Sequence, residues 1–264
     1  MNKDTQGAIF TAQQMMRVSA SRRLTNTDVC LVGIGEPSVA CNLARLTHAP
    51  QIKLIYESGT IDAKPDILPL SIGDGVLCHH ALTIVSLPEI FQYWLQAGRI
   101  SVGFLGGAQI DRFANLNTSV IGDYHRPKVR LPGAGGAPEI ATGCDRIFII
   151  MKMTPQKFVE KLDFRTTLGF GDGGDHRRRL GIQTQGPVAV ITDLCIWEPH
   201  AHTKELEVVS LYPGVRKEQV CAACQWEVRF SPHLVETPPP TDLERTALLA
   251  LEERTQAAYK RKNN

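Results

Sequence analysis

Gln51-Ile52-Lys53-Leu54-Ile55-Tyr56-Glu57-Ser58-Gly59 reads as a buried strand that ends in a carboxylate and runs into residues permitting a sharp turn. In open α/β sheets ligands bind in the crevice beyond the carboxyl ends of the strands, so Glu57 stands where such a crevice opens. Upstream, Asp28-Val29-Cys30-Leu31-Val32 is a strand rich in β-branched residues. It meets Gly33-Ile34-Gly35-Glu36-Pro37-Ser38, and a helix over 39–46 follows, with Pro37 suited to its first turn. Strand, glycine turn, helix and strand within about 30 residues make a βαβ unit, which requires a parallel sheet.

Outward from this unit, helices are expected over 11–22, 87–97, 138–142 and 216–224, and sheet strands over 101–105, 129–132, 146–151, 188–192 and 206–211. Residues 168–186 read as a glycine-rich loop around Arg177, Arg178 and Arg179, a solvated basic loop, a subunit contact or a site for phosphates. Pro238-Pro239-Pro240 breaks the chain before a last helix. That helix opens on a capping box, Thr241-x-x-Glu244, and its Leu243, Ala247, Leu248 and Leu251 are expected on one core-facing side. These readings predict a single α/β domain over 1–264, a three-layer α/β/α open sheet, mostly parallel, with 255–264 as a frayed, solvated tail.

Composition narrows the function. The 264 residues are 43% hydrophobic and 21% charged, ordinary for a globular chain, and the net charge of +2 argues against a nucleic-acid partner. Gln13, Gln14 and Arg17 interrupt any leader-like apolar run, and no stretch approaches the ~20 apolar residues of a membrane span. A cytoplasmic protein is expected. Its seven cysteines, an odd number, fit reduced thiols there. Cys221 and Cys224 form a C-x-x-C with no second pair, in the helix expected over 216–224 where such small residues are expected to be buried, and His200 and His202 lack further ligands nearby, so no metal site and no bound cofactor is expected.

Two readings compete for Glu57. As the acidic residue of a dinucleotide-binding fold it would clamp a ribose, with Gly33-x-Gly35 upstream. Yet Ser38 replaces the third glycine, Glu36 would repel a pyrophosphate, and Pro37 lacks an N–H to offer it. As a nucleophile, Glu57 would share its crevice with two glycine segments, Gly106-Gly107-Ala108-Gln109 and Gly133-Ala134-Gly135-Gly136. Glycine lets backbone N–H groups approach a reacting centre unobstructed, as an oxyanion hole requires.

The chain resembles the β subunit of family I CoA-transferases, the glutaconate CoA-transferase type in particular. Tyr56-Glu57-Ser58-Gly59 carries the resemblance, with Gly106-Gly107-Ala108-Gln109-Ile110-Asp111 and Asn115-Leu116-Asn117. So do Lys128-Val129-Arg130-Leu131-Pro132-Gly133-Ala134-Gly135-Gly136-Ala137, Asp163-Phe164-x-Thr166-Thr167 and Leu211-Tyr212-Pro213-Gly214-Val215. One departure is Phe113-Ala114 before Asn115, where the family commonly places glycine.

The resemblance implies that Glu57 is the covalent nucleophile of a ping-pong exchange between an acyl-CoA and a free, dicarboxylic acid such as glutaconate. It implies that the two glycine segments form the active-site floor, with Gly106, Gly107, Asn115 and Gly133 in the vicinity of the substrate or CoA. Gly135 and Gly136 N–H groups, with Gln109 as a second candidate, would stabilise oxyanions. Coenzyme A esters are then substrates, and a separate α subunit is required, in an α2β2 or larger hetero-oligomer. Hydrolysis or decarboxylation on the same fold, and a non-catalytic ligand-binding module, are the alternatives.

Overall fold

The computed structural model describes residues 10–262. Its centre is an eight-stranded sheet: β1 (Val29–Val32), β2 (Lys53–Tyr56), β3 (Val102–Leu105), β4 (Arg146–Ile150), β5 (Gly186–Ile191), β6 (Cys195–Pro199), β7 (Leu206–Leu211) and β8 (Arg229–Glu236). The spatial order is β8-β7-β6-β5-β4-β3-β1-β2. β2, β1, β3, β4 and β5 run parallel, β6 is antiparallel to both neighbours, and β7 and β8 pair in parallel.

Alternation along the parallel strands builds two cores. Cys30, Val32, Leu54, Tyr56, Phe104 and Phe148 pack with Met15, Met16, Ala40 and Ala44 of α1 (Ala12–Ser21) and α2 (Glu36–Leu46). Leu31, Ile55, Ile147 and Ile149 point the other way, toward Ile90, Leu95 and Ile140. This period-two split is what a central sheet covered on both faces requires. The sheet and its two helical layers therefore form the expected three-layer, mostly parallel α/β arrangement.

The last helix, α4 (Asp242–Lys262), lies on α1 and α2 through Leu248, which packs with Val18, Val39 and Leu43. Its capping box forms: Thr241 Oγ1 accepts from Glu244 N–H at 3.2 Å, and Glu244 accepts from Thr241 N–H at 2.8 Å. Glu244 also pairs with Arg22 at 2.7 Å.

Five expectations change. Leu243 is not on the core face; it is 64% exposed, because Glu244 takes the inward position to reach Arg22. The helix continues to Lys262 where a frayed tail was expected, tied down by Thr255 Oγ1, which accepts from Leu68 N–H at 2.9 Å, and by the Tyr259 hydroxyl on Asp74. Residues 263–264 lie outside the described region. The segment near 129–132 is not a sheet strand: Pro127–Arg130 pairs antiparallel with Val120–Gly122 in a separate ribbon. Over 87–97 the expected helix is a short Leu87–Glu89 turn followed by a π-helix, Ile90–Leu95. In the helix Lys217–Ala222 the buried residue is Val220, whereas Cys221 is exposed.

Candidate active site

β2 presents Glu57 at its carboxyl end, on the edge of the sheet. Tyr56 anchors it. The tyrosine is fully buried, and its hydroxyl lies 3.0 Å from Ser38 Oγ and 3.5 Å from Asn42 Nδ2. The chain then reverses: Gly59 N–H donates to the Tyr56 carbonyl at 2.9 Å, and Gly59 carries φ +109°. A Cβ at Gly59 would sit 1.9 Å from the Val85 carbonyl oxygen, so only glycine fits. The turn is pinned from the far side as well, since Val85 N–H donates to the Gly59 carbonyl at 2.9 Å.

The Glu57 carboxylate is half-buried, and burial alone raises its pKa above the ordinary range. Among the described residues nothing hydrogen-bonds to it or pairs with it. Ser58 Oγ and Thr60 Oγ1, on either side of the turn, are buried and equally without partners. A carboxylate desolvated without compensation costs stability, and groups of that kind concentrate at functional sites.

Glu36 is different. Arg17 grips it at 2.6 and 3.0 Å and Gln13 donates to it at 2.6 Å, which lowers its pKa against the opposing effect of burial. This carboxylate stands at the first residue of α2, after Gly35. It occupies the place a pyrophosphate would need, and the ribose-clamp reading loses its anion site.

The glycine segments divide. Gly106 and Gly107 follow β3 at the carboxyl end of the sheet, as Glu57 follows β2. Gly133 follows the separate ribbon, so of the two glycine segments only the one at Gly106 extends from the parallel sheet, as Glu57 does. Gly133 N–H donates to the Thr118 carbonyl at 2.9 Å, and the Thr118 hydroxyl donates back to the Gly133 carbonyl at 2.8 Å. Gly135, at φ +52°, and Gly136 keep their N–H groups free of bonds among the described residues. Gly136 precedes α3 (Ala137–Gly143) and packs so closely on Phe91 that a Cβ would lie 2.7 Å from its ring.

Gln109 and Asn115 are buried in polar networks. The Gln109 amide donates to Asp163 at 3.0 Å, and its oxygen accepts from Asn117 at 2.7 Å and from Asp163 N–H at 3.1 Å. Asn115 donates to Asp111 and to the Gly171 carbonyl, both at 2.8 Å, and accepts from Gly169 and Gly171 N–H at 2.9 Å. Ala114 takes φ +58° here, the left-handed conformation that glycine adopts freely.

Arg177 was expected in a basic loop and is instead 5% exposed in a short helix, His176–Arg179. Its guanidinium donates to the Gly169 carbonyl at 2.8 Å, the Ala141 carbonyl at 3.0 Å and the Thr184 hydroxyl at 2.8 Å. It thus ties the Asn115-bound loop to the end of α3. Among the described residues no acid pairs with it, and burial lowers its pKa to about 10. Arg177→Met strands two buried carbonyls and is expected to destabilise the chain by about 3 kcal/mol in urea titration, and Arg177→Lys is expected to recover little because one ammonium cannot span the three acceptors.

The chain is thus an open, mostly parallel α/β sheet with a half-buried, partnerless carboxylate at a strand end, a group of the kind that can act as a covalent nucleophile. Residues 13–223 match the family described as Coenzyme A transferase, and the chain belongs to that family, whose members use CoA thioesters as substrates. Within it the chain is a beta subunit of the family I type. It is 59% identical over 250 residues to a subunit of the 3-oxoadipate CoA-transferase of Pseudomonas knackmussii, covering 95% of this chain and 96% of that one. It is 35% identical over 239 residues to a subunit of the glutaconate CoA-transferase of Acidaminococcus fermentans, covering 88% and 89%. The crystal structure of glutaconate coenzyme A-transferase from that organism superposes with a TM-score of 0.84 at 32% identity, over 90% of this chain and 93% of the other.

Proposed function

We propose that this beta subunit, folded as one domain, exchanges CoA between an acyl-CoA and a free dicarboxylic acid through a covalent thioester on Glu57. What supports this most directly is the half-buried Glu57 carboxylate, left without a partner at the end of a rigid strand. Its carboxylate attacks the thioester carbonyl, the C–S bond breaks, and CoA leaves as thiolate from a mixed anhydride. The thiolate attacks the glutamyl carbonyl, giving glutamyl-CoA and releasing the first acid. The incoming carboxylate attacks that thioester, CoA thiolate leaves again, and it closes on the acyl carbonyl to free the new acyl-CoA and the Glu57 carboxylate.

The free N–H groups of Gly135 and Gly136 are the oxyanion donors in this reading, each worth about 3–4 kcal/mol in the barrier. Gly106, Gly107 and Gly133 form the floor. Gln109 and Asn115 act by shaping that floor, since their amides are engaged within the protein. The acid is closer to 3-oxoadipate than to glutaconate, because the relative bearing the former name shares 59% identity and the latter 35%. Both are dicarboxylates, so this reading keeps a dicarboxylic acid as the acceptor and moves the particular acid from glutaconate toward 3-oxoadipate. The complete enzyme is a hetero-oligomer with an α subunit, α2β2 or larger, working in the cytoplasm. No helix among the described residues is long and apolar enough to cross a membrane.

The test is trapping. The αβ complex, incubated with acyl-CoA and reduced with borohydride, is expected to carry Glu57 as a primary alcohol in peptide mass spectra. An unmodified Glu57 with steady CoA release into water overturns the proposal. The pH profile gives a second check. The nucleophile must be ionised, so kcat/KM is expected to fall tenfold per pH unit on the acid side, with an inflection above the ordinary glutamate value of ~4.3.

A further inference from the structure

Beside the loop that Asn115 holds, the chain forms a cavity of about 450 Å³, the size of a small-ligand site. Three permanent cations, Arg177, Arg178 and Lys204, line it together with His202. The lining includes one acid, Asp175, and Arg179 pairs with it at 3.0 Å. Among the described residues Arg177, Arg178 and Lys204 have no carboxylate partner. Lys204 stands with its ammonium 5.7 Å from the centre of the Phe170 ring, on a backbone at φ +62°. The cavity thus gathers positive charge that the chain itself does not neutralise, and a concave wall of one sign concentrates counter-ions.

Arg177 is the buried part of this wall. Its three acceptors are all neutral oxygens, and its Nε is enclosed without any partner. Gly186 leaves the guanidinium its place: at φ +79°, a Cβ there would lie 2.8 Å from Nε. A cation withdrawn from water with no counter-charge is costly, and a planar guanidinium is the group best suited to a carboxylate or phosphate. The cavity also lies away from Glu57. Thr184 and Gln185 lead into β5, and Ala201 and His202 follow the antiparallel β6, so they stand at the amino ends of the parallel strands. Glu57 follows the carboxyl end of β2, four strand positions across the sheet from β5, or about 19 Å.

We infer that the cavity lined by Arg177, Arg178, His202 and Lys204 is a second ligand site, separate from Glu57, that takes a small doubly charged anion. A phosphoryl group and a dicarboxylate share that chemistry. Arg178 and Lys204 supply the reachable charges, and the buried Arg177 guanidinium backs them. Phe170 and Ile182 give the remainder of such a ligand an apolar surface.

The experiment titrates inorganic phosphate, and separately succinate, into the αβ complex by calorimetry at constant ionic strength. The variant is Arg178→Gln combined with Lys204→Asn. Arg178 is exposed and Lys204 half-buried, and asparagine tolerates the positive φ, so the fold is expected to stand and the melting temperature to stay within 2 °C of wild type. At least one of the two anions is expected to saturate one site per beta chain and to bind at least 10-fold more weakly to the variant. Phosphate alone doing so assigns a phosphoryl ligand, and succinate alone a dicarboxylate. Neither anion saturating, or both binding the variant as they bind wild type, overturns the inference. The KM for acyl-CoA in the variant is expected to stay within twofold of wild type. A KM that rises with the loss of phosphate binding makes CoA phosphates the occupant and overturns a separate site. Binding to the isolated chain that vanishes in the αβ complex gives the cavity to an acidic side chain of the α subunit, and overturns it too.

Discussion

Glu57→Ala, assembled with its α subunit, is expected to lower transfer at least ~10⁴-fold, the scale on which removal of a covalent nucleophile is felt. The αβ complex is expected to form as before. The same position predicts a gain in stability. Burial raises the folded-state pKa of Glu57, so the folded chain holds the proton more tightly than the unfolded chain does. Its contribution is favourable below the ordinary carboxylate pKa and is lost as the pH rises through the raised value. At pH 7 the ionised group is therefore a burden on the isolated chain. Glu57→Gln, which keeps the shape and removes the charge, is expected to melt at or above the wild-type temperature at pH 7, with the advantage vanishing in acid. A structural carboxylate would behave oppositely: Glu36, paired with Arg17 and Gln13, is expected to cost stability when changed to Gln. Differential melting curves at two pH values separate these cases.

Gly59→Ala carries the second large effect. Its Cβ would meet the Val85 carbonyl oxygen at 1.9 Å and the carbonyl carbon at 3.0 Å, backbone atoms that cannot swing aside. The residue would also have to hold φ +109°, a conformation L side chains rarely adopt. Strain of this kind costs roughly 1–3 kcal/mol before the clash is counted. Relief requires the Tyr56-to-Gly59 turn to part from Val85, which displaces both Glu57 and the Thr83–Ile84 strand. The variant is expected to lose several degrees in melting temperature and nearly all activity. Full activity with an unshifted melting curve would show that the turn can relax elsewhere.

Much of the α/β arrangement was legible along the chain, and particular residues show why. Cys30, Leu31 and Val32 fill opposite faces of one strand, and Leu54, Ile55 and Tyr56 repeat the pattern. Local alternation of this kind, followed by glycine turns, marks parallel strands without reference to distant residues. Thr241 and Glu244 announced the last helix for the same reason, because a capping box is closed within one turn. β6 and β8 were missed. Cys195–Pro199 ends on a proline, and Arg229–Glu236 contains Pro232 and alternates weakly. Both are strands because β5 and β7 offer them edges, an interaction no short window contains. Leu243 misled through helical periodicity alone: its turn of helix is oriented by Arg22, more than 200 residues away in sequence. The ribbon containing Val129 has strand-forming residues but pairs with Val120–Gly122 beside the sheet, and sequence pattern does not distinguish the two partners.

What the sequence determined by itself is a carboxylate at the end of a buried strand, with glycine two residues on and a helix and strand before it. Periodicity and turn chemistry act over a few residues, so they are written there. Only the tertiary structure decided that Glu57 stands without a partner while Glu36, equally acidic, is held by Arg17 and Gln13. It also decided that Arg177 is buried against Gly169 and Ala141 while its neighbour Arg178 remains at the surface. Desolvation and ion pairing depend on which distant segments close around a side chain, and that is set by packing of the whole fold.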